Sequence, residues 1–150
     1  PLNNLSGSNE SAEILGKFLS MRLEDLGFLD VVSGPELERM LKEKNFELSG
    51  FSSRAQALKV AQILDIDAVI YGDVIEYRYR KWTTSKKGLS EDPVVGMSVR
   101  AIHGKSGDLI WASTEIKTEY GLFTIGSNAI TGVAKKVVDA LISSMTANRM

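Results

Sequence analysis

Four groupings in the sequence carry side chains capable of chemistry. Gly104-Lys105-Ser106 has the ending of a phosphate-cradling loop, in which backbone N–H groups and a lysine hold phosphate oxygens. That loop also needs a glycine five positions earlier, where Val99 stands, and it must lead from a strand into a helix. Here the flanking alternation joins two strands, so nucleotide binding is not read from it. Asp65, Asp67, Asp73 and Glu76 supply carboxylates for acid–base or divalent-cation chemistry. Asp65 and Asp67 flank a helix-to-strand junction, where turn chemistry accounts for them. On a regular strand Asp73 and Glu76, three apart, point to opposite faces and cannot share an ion or a substrate. His103 is the sole histidine and lies at a strand end beside a turn, a surface or capping position rather than a catalytic one.

The fourth grouping is the most distinctive. Arg78, Arg80, Lys81, Lys86 and Lys87 are interleaved with Tyr77, Tyr79 and Trp82, and no acid follows until Glu91. Such a mixture can anchor a protein interface, stack on bases and grip phosphates, or lie at an anionic membrane. It also suits a solvated hairpin whose charges protect a sheet from aggregation. The candidate contact residues are Tyr77, Arg78, Tyr79, Arg80, Lys81 and Trp82, with the sheet edge as a second place for a partner. Trp111, alone on a strand, reads as core or sheet-face packing.

Composition narrows the chemistry further. The chain has 150 residues, 43% hydrophobic and 25% charged, with a net charge of −1. At this size a chain can bury roughly 70% of the surface its unfolded form exposes. There is no overall basic excess of the kind dedicated nucleic-acid binders carry. With no cysteine and one histidine, thiolate catalysis, disulfides and cysteine- or histidine-based metal clusters are excluded. No catalytic residue, metal or cofactor is expected. No apolar run reaches the ~20 residues a membrane helix needs.

The elements that position these residues follow from periodicity. Residues 1–11, rich in Asn, Ser and Gly, read as a loop leaving a first strand cut short or lost upstream of Pro1. Leu15, Leu19, Leu23 and Leu26 mark a helix over about 10–26, capped by Ser8 or Asn9. Residues 28–32 predict a strand. Pro35 opens a helix with Leu37, Met40 and Leu41 inward, and Ser52 or Ser53 opens another with Ala57, Leu58, Ala61 and Leu64 inward. Over 66–80 the period falls to two, with Val69, Tyr71, Ile75, Tyr77 and Tyr79 on one side. A polar loop over 81–93, a strand over 94–103, a turn over 104–108 and a strand over 109–120 complete an antiparallel meander. A helix over 127–147 carries the clearest apolar stripe, Ile130, Val133, Ala134, Val137, Val138, Leu141, Ile142 and Met145. The predicted class is mixed α/β (α+β): helix-strand-helix-helix, a three-stranded antiparallel meander and a C-terminal helix. One mixed sheet is flanked by helices within a single domain over 1–150.

Three stretches together resemble a known family: PLNNLSG with its following helix, ILDIDAVIYGDVIEYRYR, and PVVGMSVRAIHGKSGDLIWAS. Asp67-Ala68-Val69-Ile70-Tyr71-Gly72 and Ser106-Gly107-Asp108-Leu109-Ile110-Trp111 resemble motifs of the CsgG-like (curli production assembly/transport) family of bacterial envelope lipoproteins, which includes relatives that activate peptidoglycan synthases. The resemblance implies a non-enzymatic periplasmic domain, held at the outer membrane by a lipid upstream of Pro1. It would act in envelope assembly or secretion through contact with a protein partner or with copies of itself. The family's pore hairpins are not implied: each spanning strand needs ~9–11 residues with an apolar outer face, and neither 81–93 nor 118–127 holds two. Regulation of a peptidoglycan synthase is the alternative within the class, and a nucleic-acid-binding α/β module is the alternative outside it.

Overall fold

A computed structural model describes residues 2–47, 53–84, 88–119 and 129–147, and for 82–84 and 88–90 the backbone alone. The buried stripes decide its layering. Leu15, Leu19 and Leu23, four apart, line the inner side of α1 (Ser11–Glu24). Seven residues of α4 (Ala129–Ala147), from Ile130 to Ile142, are buried in the same core. Both helices lie on one face of a four-stranded sheet, against Val74, Val95, Met97, Val99, Ala101 and Trp111. On the other face α2 (Gly34–Glu43) and α3 (Arg54–Leu64) enclose a smaller core of Leu37, Leu41, Ala57, Val60 and Ala61 over Val69, Tyr71 and Ile102. Burying each large aliphatic side chain contributes about 1.5–3 kcal/mol, which holds the β-branched α4 in a helix that its own propensity would not support.

The sheet order is β1-β2-β3-β4, with β1 (Leu2–Asn4) parallel to β2 (Ala68–Thr84). β3 (Gly88–His103) and β4 (Leu109–Thr118) continue it antiparallel. The mixed α/β class, the meander and the closing helix are as expected, but the fourth strand lies elsewhere. Residues 28–32 form no strand. Their apolar side chains serve to cross between layers: Leu29 and Val31 pack on the α1/α4 core, Val32 on the α2/α3 core. The place beside β2 is taken by Leu2–Asn4, inside the stretch read as a loop, where the Asn3 side chain donates to Asp73 Oδ1 at 3.2 Å.

Helix starts follow local chemistry. Ser53 caps α3 in a reciprocal box with Gln56, and Pro35 sits in the first turn of α2. Neither Ser8 nor Asn9 caps α1; Glu10 holds that position without a side-chain bond. Instead the Asn4 carboxamide oxygen accepts from the Ser6 and Ser11 hydroxyls and ties the loop to the helix.

Two further expectations are corrected. In the stretch 81–93, read as a polar loop, residues 81–84 and 88–93 continue the strand pairing, from Lys81↔Glu91 to Thr84↔Gly88, and 85–87 lie outside the described residues. The alternation that begins at Tyr77 simply runs on, and polar side chains suit strands that leave the core. The side of β2 is also not constant. Pairing slips between Val74 and Glu76, leaving Ile75 as a bulge. Val69 and Tyr71 therefore face α3, whereas Tyr77 and Tyr79 face α1 and α4. Among the described residues no helix is long and apolar enough to cross a membrane. Most of 118–127, the second stretch considered for a pore hairpin, lies outside the described residues.

Candidate interaction surface

The candidate contact residues stand where the sheet narrows. β4 ends opposite Val94, with the Glu119 N–H still donating to the Pro93 carbonyl, and β1 ends opposite Val74, so among the described residues only β2 and β3 pair from Arg80 and Asp92 outward, as a two-stranded arm. Strand alternation then divides a patch that is continuous in sequence. Tyr77, Tyr79 and Lys81 share the face of α1 and α4, while Arg78 and Arg80 take the other; of Trp82 the backbone alone is described.

The tyrosines are half-buried and pack against the α1/α4 core. Burial is the main cause that pushes the Tyr77 phenol above its ordinary 10.0, a hydrogen bond with Thr131 on α4 opposes it, and the charges of Tyr79 and Glu10 add to it. Each cation of the patch whose side chain is described lies near an acid. Arg78 Nε lies 2.8 Å from Glu76 Oε2, Arg80 Nη2 3.9 Å from Asp92 Oδ2, and Lys81 Nζ 3.5 Å from Glu91 Oε1. Asp92 is fully buried, whereas the Lys81 side chain is 70% exposed. Sequence order concealed these partners, since Glu91 and Asp92 come ten or more residues after the cations they face. Only the hairpin register brings them opposite. The arm thus offers shape and short-range polarity more than net positive charge. Lys86 and Lys87 lie outside the described residues.

The other candidates resolve into structure. Gly104 presses on the α3–β2 junction: a Cβ there would lie 1.9 Å from the Ile66 carbonyl oxygen. Its N–H donates to the Asp67 carbonyl at 2.7 Å. The glycine of the phosphate-like motif is therefore required by chain packing. His103 Nδ1 accepts from the Lys105 and Ser106 N–H groups at 3.2 and 3.4 Å, a turn cap. Asp65 ends α3 in the left-handed region at φ 52°, as turn chemistry suggested. Asp73 and Glu76 are a correction: the Ile75 bulge brings both to one face, opposite Ser98 and Gly96. There they are held apart by different partners, Asn3 for Asp73 and Arg78 for Glu76. Trp111 is buried, and its indole N–H donates to Ser144 on α4 at 3.1 Å. Among the described residues no three His, Asp or Glu side chains could jointly hold a metal ion.

This three-layer arrangement, with helices on both faces of a mixed sheet, is a fold found in bacterial lipoproteins. It is shared with lipoprotein GNA1162 from Neisseria meningitidis at TM-score 0.64 and 20% identity, over 96% of this chain and 95% of that one. PelC from Paraburkholderia phytofirmans, a dodecamer, matches at TM-score 0.67 and 19% identity, over 96% and 82%. The LpoB C-terminal domain from Salmonella enterica matches at TM-score 0.57 and 14% identity, over 79% and 78%. No family model matches the sequence, and no curated protein is significantly similar to it. These likenesses establish the lipoprotein-type fold without singling out the curli channel family.

Proposed function

We propose that this chain is a non-enzymatic, single-domain module of the bacterial envelope that acts by protein–protein contact in assembly or secretion. It would stand in the periplasm and be tethered to the outer membrane by a lipid. The observation that carries the reading is the match of fold over 96% of the chain to a lipoprotein of nearly the same extent. The sequence resemblance to CsgG-like lipoproteins points the same way, without pore hairpins. Self-association belongs to the reading because PelC, of the same fold, is a dodecamer. The arm is the proposed docking element for a partner, through Tyr77, Arg78, Tyr79, Arg80, Lys81 and Trp82.

The test reverses charge where folding does not depend on it. Arg80 faces the buried Asp92, so Arg80→Glu would set two carboxylates together. Lys81 pairs with Glu91 at the surface, where such a pair contributes about 0–1 kcal/mol. Lys81→Glu with Trp82→Ala should weaken capture of the crosslinked envelope partner while the melting temperature stays near wild type. Undiminished capture by a folded double variant removes the arm from consideration. The identity of the captured protein separates a secretion component from a peptidoglycan synthase, the second reading within this class. A nucleic-acid module is disfavoured by the paired cations; it would require affinity that falls steeply with salt.

A further inference from the structure

We propose that the outer edge of β4 is a two-fold seam, at which a second copy of this chain lays its own β4 antiparallel with Ile116 of each chain opposite the other. The proposal rests on the reading of this domain as one that works by contact, and it assigns that contact a place and a register.

β4 is last in the sheet order, and among the described residues no strand lies beyond it. It is ten residues long and contains neither proline nor glycine. Leu109, Ile110 and Ile116 on it are 53, 56 and 56% exposed. Sheet edges in soluble proteins are ordinarily kept from pairing by bulges, prolines or clustered charge. Beyond Val74 no described strand lies beside β2 on the β1 side, and that edge is protected in this way, with the Ile75 bulge and then Arg78, Arg80 and Lys81. β4 has a bulge only near its start, at Ile110, and beyond it one charged pair, Glu115 and Lys117, on either side of Ile116.

That spacing selects the occupant. When two β4 strands run antiparallel about Ile116, Glu115 meets the partner's Lys117 and Lys117 meets the partner's Glu115. Thr114 and Thr118 then meet as threonine pairs, and Ile116 covers its own counterpart. Opposite charges and Thr–Thr pairs facing one another are favourable cross-strand neighbours. A two-fold through Glu115 or Lys117 would oppose like charges. The seam is therefore self-complementary, as an isologous contact must be.

The experiment is sedimentation equilibrium on the whole chain across a concentration series. A dimer is expected, with Glu115→Lys and Lys117→Glu each raising the dissociation constant about tenfold or more. The double reversal should return it to near wild type. Because the chain has no cysteine, Ile116→Cys should oxidise to a covalent dimer. Thr114→Cys, which lies opposite the partner's Thr118, should not. A monomer at every concentration, or a ring or dimer indifferent to both charge reversals, overturns the proposal. If a charge variant fails to fold by circular dichroism, the contrast between the two cysteine variants decides alone. Failure here leaves partner capture through the arm intact, and the arm variants leave the seam intact, so the two readings fall separately.

Discussion

Gly104→Ala is the sharpest single perturbation of this fold. The added methyl carbon would lie 1.9 Å from the Ile66 carbonyl oxygen and 3.0 Å from the Asp67 carbonyl atoms. An ordinary carbon–oxygen contact is about 3.3–3.6 Å, so the turn and the α3–β2 junction must separate by more than an ångström. That movement breaks the 2.7 Å bond from the Gly104 N–H to Asp67. Losing a buried hydrogen bond costs about 1–3 kcal/mol, and overpacking adds about 1–3 kcal/mol. A combined cost near 3 kcal/mol lowers the melting temperature by about 6–12 °C at this chain length. Gly132→Ala is the matched control, since a Cβ there meets nothing within 4 Å inside α4. It should stabilise by about 0.5–1 kcal/mol, because glycine is the poorer helix former. Thermal melts followed by circular dichroism measure both. A Gly104→Ala protein melting within a degree of wild type would refute the packing argument and return the phosphate-like motif to consideration.

Two more outcomes follow from the cores. Leu141 is fully buried between α4 and the sheet, and Leu141→Ala should cost about 2–5 kcal/mol in urea unfolding, depending on how far the site collapses; a loss below about 1 kcal/mol would place α4 outside the main core. For Tyr77, burial holds the phenol above 10.0 and favours its neutral form, so the unfolded chain ionises first. That contribution is whole below about pH 10 and is lost as pH rises toward the folded-state value. Tyr77→Phe should therefore lose less stability than wild type between about pH 8 and 11; equal losses would contradict the burial of the hydroxyl.

The sequence disclosed most where one period held over a long stretch. The stripe of α4 and the leucines of α1 were legible because a helix has one face to bury. The GKSGD turn was legible because its glycines and aspartate flank two alternating runs. What stayed hidden depended on pairing partners. Residues 28–32 look apolar enough for a strand, yet Leu29 and Val31 pack on one core and Val32 on the other, Phe28 is exposed, and none joins the sheet. Leu2–Asn4 carries almost no strand signal, because two half-exposed residues and an exposed one take their order from Gly72, Asp73 and Val74. The arm was half legible: the basic and aromatic residues were visible, but Glu91 and Asp92 could be placed opposite them only once the hairpin register was known.

The Ile75 bulge is where these threads meet. Without an extra residue, the alternation that places Val69 and Tyr71 under α3 would carry Tyr77 and Tyr79 to the same face, beyond the end of that helix. The tyrosines would then be exposed. With it, both rings turn to α1 and α4, and Glu76, Arg78 and Arg80 take the opposite face, where Glu76 and the buried Asp92 answer the two arginines. One unpaired residue thus lets a single strand serve two cores in succession and leave the second as a polar arm. Bulges also increase local twist and discourage pairing along an edge. The same feature that builds the arm therefore disfavours strand addition at the β2 edge, and among the described residues β4 is the other long strand with no neighbour on its outer side.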